Sequence, residues 1–396
     1  MITELTKGVY WVGVVDWGIH HFHGFELSTH RGTSYNAYLI IDEKIALVDT
    51  VLAPFHKEFL DNVRQLIDPS KIDYVIANHA EPDHSGTLPE LMNLAKNATL
   101  VVSKLGQQSI SGHYHQQWKF KVVKTGEKIK LGKNELVFIE ASMLHWPDSM
   151  FTYLTGHNIL MPNDAFGQHY AAAYRFNDLV NERELYEEAI KYYANILTPF
   201  SKLVTKKIEE ILSMGLAIDM IAPSHGIIWR KEPLQIVQKY QEWAMQIGED
   251  RAVILYDTMW QATRKMAEAI GEGLAEKGVD FKLFHMALAD RNDVITEIFK
   301  SRAVIIGSPT LNRGLLPTIM PILEDIKGLA FGNKMGAAFG SYGWSGECIK
   351  IIEETFTKAG ISIVAEPVLV KWQPQNQDLE ACRELGRKVA AAVKKK

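Results

Sequence analysis

The stretch ANHAEPDHSG, residues 77–86, sets two histidines, a glutamate and an aspartate within six consecutive positions. Imidazoles and carboxylates at this density can ligate metal or move protons. The strand-like run DYVIANH ends at His79, Pro82 stops its continuation, and Gly86 frees the backbone beyond. Side chains between them can then splay around one point. A single cluster of this kind also fits a satisfied polar loop. Three later segments repeat the same grammar, a ligand-type side chain closing an apolar run. They carry His145 (with Trp146 and Asp148 beside it), Asp164 (followed by His169) and His225. With histidine in place of Glu81 the spacing would suggest a zinc hydrolase. A carboxylate there favours a harder ion of higher coordination number.

A second constellation lies in the C-terminal half. YDTMWQATRKMAEA, residues 256–269, reads as a strand, a hydroxyl-rich turn and a helix start, where backbone N–H groups could hold a phosphate. Plain helix capping would give the same turn. Two further loops, GSPTLNRG and GSYGWSGE, follow later strands. The candidate cradle comprises Thr258, Met259, Trp260, Gln261, Ala262 and Thr263 from the first loop. Ser308, Pro309, Thr310, Leu311 and Asn312 come from the second, and Gly340, Ser341, Tyr342, Gly343, Trp344 and Gly346 from the third.

The elements that must position these residues fall into two rhythms. Up to about residue 249, short runs such as GVYWVGVV, SYNAYLIID, KIALVDT and ELVFIEAS read as strands. Helical stretches interrupt them, with one longer helical region over 180–213. From about residue 250, strands and helices alternate regularly, with ISIVAEPVLV as the last strand, which predicts a doubly wound parallel sheet. Domains of 1–249 and 250–396 follow.

The order His79-Ala80-Glu81-Pro82-Asp83-His84 resembles the HxHxDH motif of the metallo-β-lactamase superfamily. With Glu81 at the middle position, and with the flavodoxin-like half behind it, the chain resembles the flavodiiron proteins (A-type flavoproteins) over its whole length. The resemblance implies an α/β fold: an N-terminal metallo-β-lactamase-like αββα sandwich plus a C-terminal flavodoxin-like doubly wound parallel sheet. It implies two non-haem irons, one held by His79, Glu81 and His145, the other by Asp83, His84 and His225, with Asp164 bridging. It also implies FMN at the three loops. Four neutral histidines and three carboxylates sum to −3, so a diferrous pair, or a diferric pair with an oxide bridge, leaves the same +1. Redox cycling then changes little buried charge.

The implied activity is reduction of nitric oxide to nitrous oxide, of dioxygen to water, or of both. Without a CxxC pair in the sequence, no fused rubredoxin module is expected, and electrons would come from a separate rubredoxin-type protein or a reduced deazaflavin. A head-to-tail homodimer, or a dimer of such dimers, is implied as the assembly. Competing readings are a dizinc hydrolase with an accessory flavodoxin-like domain and an electron-transfer flavoprotein whose metal is structural. His20, His21, His23 and His30 crowd one early loop, which either lines the surface, the favoured reading for any one of them, or supplies a proton donor beside the metals, with His23 the candidate. Trp146, Asp148 and His169 are expected to pack beside the ligands.

Composition narrows the rest. The 396 residues are 47% hydrophobic and 23% charged, with a net charge of −4, which is ordinary for a soluble globular protein. Neither nucleic acid nor anionic membrane is an expected partner. Two cysteines, Cys348 and Cys382, exclude a disulfide scaffold and an iron–sulfur centre. No apolar run approaches a membrane span, no signal-peptide pattern opens the chain, and a cytoplasmic location is expected.

Overall fold

Alternation of apolar side chains in the N-terminal strands dictates two sheets with a shared interior. In the computed structural model, which describes residues 2–22, 24 and 26–395, the larger sheet has seven strands. In spatial order they are Thr3–Thr6, Val9–Trp11, Tyr38–Ile41, Ile45–Val48, Tyr74–Ile76, Thr99–Val102 and Phe120–Val122. A five-stranded sheet follows, Lys128–Lys130, Glu135–Glu140, Met150–Leu154, Ile159–Met161 and Met220–Ile221. Tyr38, Ile40, Ala46, Val48, Ile76 and Val101 from the first sheet share one core with Leu136, Phe138, Met150, Leu154 and Met161 from the second. The intervening residues Leu39, Leu47, Val75 and Leu100 point the other way, by the two-residue period of a strand, and are equally buried. Each is a link in a sandwich closed on its outer faces.

The C-terminal sheet runs Asp280–His285, Glu249–Tyr256, Ser301–Pro309, Met335–Tyr342 and Ser362–Ile363, with Val368–Lys371 also paired to Met335–Tyr342. All its pairings are parallel. The chain order reverses between the first and third of these strands to form, as expected, the switch point of a doubly wound sheet. Helices Ala262–Glu276 and Asn376–Lys394 pack on the face that carries Ala252, Ile254, Ile305 and Ala337. Their backbones touch at glycines: a Cβ on Gly273 would lie 2.1 Å from the Arg383 carbonyl oxygen, and one on Gly386 would lie 2.2 Å from that of Ile270.

Several expected elements break where a polar residue or proline has other partners. SYNAYLIID divides at Asn36 into Thr33–Tyr35 and Tyr38–Ile41. The Asn36 side chain accepts from the Trp11 indole at 2.7 Å and donates to the Pro223 carbonyl at 2.8 Å. GVYWVGVV divides too, its second part, Val14–Asp16, forming a ribbon with Thr33–Tyr35. ISIVAEPVLV is two short strands, since Pro367 has no N–H for the ladder. The 180–213 region is a helix (Glu182–Tyr192), a π-turn (Tyr193–Leu197), a 3-10 turn (Thr198–Phe200) and a second helix (Ser201–Ser213). Pro199 and the wide π-turn interrupt it. By contacts the chain separates into two compact units, Met1–Tyr192 with Lys202–Gln241, and Tyr193–Ser201 with Glu242–Lys396.

Candidate functional site

Each ligand-type residue of the first unit sits just beyond a strand. His79 follows Tyr74–Ile76, His145 follows Glu135–Glu140, Asp164 follows Ile159–Met161, and His225 follows Met220–Ile221. Pro82 does more than end a strand: it opens the one-turn helix Pro82–Ser85, with Glu81 as its N-cap. That turn sends Glu81 one way and Asp83 with His84 another. Ligand atoms of His79, Glu81, His145 and Asp164 lie within 4.8 Å of one another, and those of Asp83, His84 and His225 form a second such group.

All four histidines direct Nε2 at carboxylates. His79 Nε2 is 3.1 Å from Glu81 Oε2 and 3.8 Å from Asp164 Oδ2, and His145 Nε2 is 3.7 Å and 3.5 Å from the same two atoms. His84 Nε2 is 3.1 Å from Asp83 Oδ2 and 2.9 Å from Asp164 Oδ1, and His225 Nε2 is 3.0 Å and 3.6 Å from those. Asp164 thus gives Oδ2 to the first group and Oδ1 to the second. Two atoms ligating one ion at about 2.1 Å stand about 3.0–3.4 Å apart in octahedral or tetrahedral arrays; His79–Glu81, His84–Asp83 and His225–Asp83 have that spacing, and the remaining separations run from 2.9 to 3.8 Å.

The far ring nitrogens of His79 and His225 are tied down, whereas His84 Nδ1 is buried without a hydrogen-bond partner. His79 Nδ1 is 3.0 Å from Asp148 Oδ2, which also accepts the Ala80 N–H at 2.7 Å. His225 Nδ1 is 2.8 Å from the Ser34 carbonyl oxygen. Such contacts fix which nitrogen faces a metal. His169 pairs with the Thr33 hydroxyl at 2.8 Å and lies against the His225 ring at 4.8 Å; Trp146 stands edge-on to His79 at 5.4 Å. Asp148, His169 and Trp146 therefore sit beside the cluster. His20, His21 and His30 are exposed, and His23 lies outside the described residues.

The electrostatics ask for positive charge. Burial pushes the Asp83 and Asp164 carboxyls up, yet the imidazoles around them, His84 foremost, more than offset this and hold both below the usual carboxylate range. Burial likewise opposes a proton on His79, but Asp148, Glu81 and Asp164 push its pKa up to about 10. Asp83 Oδ1 and Asp164 Oδ2 are buried without a hydrogen-bond partner, each a cost of roughly 1–3 kcal/mol. Cations between the carboxylates would remove that cost, so the donor set fits a pair of metal ions.

Sequence reasoning passed over Asp49. It follows the strand Ile45–Val48, the same grammar that singled out Asp164. Its Oδ1 accepts the Asn78 N–H at 2.8 Å, and its Oδ2 accepts the Asn78 and Asn163 side chains at 3.1 Å and 3.2 Å. It therefore couples the residue before His79 to the residue before Asp164.

In the second unit, the carboxyl edge of the parallel sheet opens a cleft of about 390 Å3, the size of many cofactor sites. Thr258, Met259, Trp260, Ala262, Pro309, Thr310, Leu311, Ser341, Tyr342, Gly343 and Trp344 line it. Trp372 and Gln373, just past Val368–Lys371, line it as well and were not anticipated, although VKWQPQ ends a strand at the same edge. Thr258 Oγ1 is buried without a partner, a donor that fits a phosphate. The flat faces of Tyr342 and the indoles suit an aromatic ring system.

The remaining loop residues have other places. Thr263 is buried with its hydroxyl 3.1 Å from Ser341 Oγ, and the Ser308 hydroxyl accepts the Leu316 N–H at 3.1 Å. Gln261 caps the helix Ala262–Glu276 at φ +65°, a left-handed conformation costing a non-glycine residue about 1–3 kcal/mol. Asn312 lies at the exposed tip of a turn closed by Leu311 and Gly314. A Cβ on Gly340 would meet Cys348 Sγ at 2.6 Å, and one on Gly346 would meet Leu369 at 2.6 Å, so both serve packing.

Comparison with known proteins agrees with both halves. Residues 33–226 match the family described as ODP family beta lactamase, and residues 254–386 match Flavodoxin. A protein of Moorella thermoacetica named nitric oxide reductase is 52% identical, over 98% of each chain. An Escherichia coli anaerobic nitric oxide reductase flavorubredoxin is 48% identical over 98% of this chain and 82% of its own length. Among solved structures, the rubredoxin oxygen:oxidoreductase of Desulfovibrio gigas is 40% identical, with a TM-score of 0.97 over 100% of this chain and 99% of its own. The flavodiiron protein of Giardia intestinalis is 32% identical, with a TM-score of 0.95 over 99% and 97%. With a metallo-β-lactamase-like half ahead of a flavodoxin half, and relatives this similar over nearly the whole length, the chain belongs to the flavodiiron protein family.

Proposed function

We propose that this protein reduces nitric oxide to nitrous oxide, using two irons in the first unit and FMN in the second. The observation that carries the reading is Asp164, whose two oxygens are divided between two complete ligand sets. It occurs in a chain 52% identical to a protein named nitric oxide reductase. His79, Glu81 and His145 would hold one ion, Asp83, His84 and His225 the other, with Asp164 shared. When bound, the irons and flavin supply the two electrons that, with two protons, convert two nitric oxide molecules to nitrous oxide and water.

The chain's own residues set the conditions. Asp148 and the Ser34 carbonyl hold His79 and His225 in orientation, and the buried carboxylates balance the charge of the ions. Phe22, Tyr35 and Tyr192 wall the His225 side, an apolar lining suited to a small uncharged gas. In the second unit, the Thr258 hydroxyl and the loop 258–261 would receive the flavin phosphate, while Tyr342, Trp344 and Trp372 would flank its ring.

Domains of 1–249 and 250–396 remain the division we favour, the boundary falling within one residue of the start of the strand Glu249–Tyr256. Trp260, Trp344 and Trp372 around the cleft are 79%, 85% and 65% exposed, which supports a partner surface there. We assign it to a head-to-tail homodimer that brings the flavin of one subunit to the irons of the other. A rubredoxin-type protein is the donor that the relatives' names suggest. Among the described residues no helix is long and apolar enough to cross a membrane, and we place the protein in the cytoplasm.

Dioxygen is a second substrate favoured by the Desulfovibrio gigas relative, named for oxygen reduction. A hydrolase is disfavoured by Glu81 and by the flavodoxin half. The test is turnover with each gas under one reduced donor. Nitrous oxide formed in half the amount of nitric oxide consumed supports the proposal, whereas reduction of dioxygen alone refutes it.

A further inference from the structure

The loop that opens the flavin cleft has no glycine between Asp257 and Thr263, yet Gln261 takes a left-handed conformation. Such a turn keeps its shape only when its surroundings impose it. Asp257, 6% exposed, stands at the loop's entry and receives donors from three directions. Its Oδ1 accepts the Thr258 N–H at 2.6 Å and faces His285 Nε2 at 2.9 Å, and its Oδ2 accepts the Thr318 hydroxyl. His285 stacks flat on Tyr256, with ring centroids 5.2 Å apart and planes 9° from parallel. One carboxylate thus joins the ends of two neighbouring strands, the phosphate loop and the segment ahead of the helix Met320–Leu329. At the far side, the Gln373 amide donates to the Trp260 carbonyl at 2.7 Å.

The consequence falls on Thr258. Its N–H is turned back to Asp257, while its hydroxyl, in a residue lining the cleft, stays buried without a partner. A carboxylate this close to a phosphate site would repel the ligand if it were bare. Three donors spread its charge.

We propose that Asp257, His285 and Thr318 form a latch that fixes residues 258–261 in the shape that receives the phosphate of a flavin mononucleotide. They are positioning residues for the phosphate and not for the flavin ring, so they set the preference for the phosphorylated flavin. This rests on the reading of the cleft as an FMN site.

The test is titration of the full chain, freed of flavin, with FMN and with riboflavin, followed by quenching of flavin fluorescence. Asp257→Asn and His285→Phe should weaken FMN binding about ten- to hundredfold, the effect of losing a hydrogen bond to a charged group. Riboflavin binding should stay within about twofold of the parent. Equal weakening of both ligands, or no weakening of either, overturns the proposal. Should Asp257→Asn not fold, Thr318→Val removes one hydroxyl at nearly constant volume and should give the same selective loss to a smaller degree; its absence is equally fatal. A parent chain that binds riboflavin but gains nothing from the phosphate would instead sink the FMN reading itself.

Discussion

Replacing Asp148 by asparagine tests how the metal centre is built. The carboxylate is 1% exposed and takes both His79 Nδ1, at 3.0 Å, and the Ala80 N–H, at 2.7 Å, through Oδ2. Asparagine preserves volume and one acceptor oxygen but removes the charge. The Ala80 contact can then persist, while the His79 ring loses its ionic partner and part of its basicity. Loss of such an outlying partner lowers metal affinity about 10–100-fold, or about 1.4–2.8 kcal/mol. Only the ion held by His79, Glu81 and His145 should be affected directly. The assay is iron retained per chain after dialysis against graded chelator, with bound FMN measured on the same samples. One of two irons should leave at a chelator concentration lower by that factor, with FMN unchanged. Retention within about twofold of the parent would refute the reasoning, as would equal loss of both irons.

Three further outcomes are expected. Asp49→Asn leaves at least one of the Asn78 and Asn163 donors without a partner; thermal unfolding should register a loss of about 1–3 kcal/mol, together with weakened iron retention. Gly273→Ala drives a methyl into the Arg383 carbonyl, and denaturant titration should show the flavodoxin half destabilised by more than about 1–3 kcal/mol. Lys334 is 2% exposed, and burial, with Arg251 nearby, lowers its pKa to about 7. The unfolded chain then binds more protons between pH 7 and the ordinary lysine value, so stability should rise with pH across that window, by about 3–5 kcal/mol from this one group. Lys334→Met should flatten the rise; an unchanged slope in urea titrations at pH 6.5 and 9.5 would contradict it.

Much of the architecture was legible because strand ends announce themselves. Apolar runs closing in His79, Asp164 and His225 marked both the sandwich and the places where ligands gather, and regular alternation after residue 250 marked the parallel sheet. The same rule, applied to LVDT, would have found Asp49. What stayed hidden depends on contacts between distant segments. Nothing local says that Asn36 leaves its strand to bind Pro223, or that Asp148 serves His79 from 69 residues away. The flavin cleft shows the limit from the other side. Loop membership identified Thr258 and Tyr342, but Gly340 and Gly346 answer to the packing of Cys348 and Leu369, which spacing does not reveal.

The central claim is that one chain holds an iron pair and a flavin in the two sites described. Metal and flavin analysis of protein purified without oxygen tests it most directly, with the visible spectrum taken on the same sample. Two irons and one FMN per chain are expected, with Asp164→Ala losing iron while the yellow flavin stays bound. Colourless protein filled with zinc, or full iron retention without Asp164, would contradict the account.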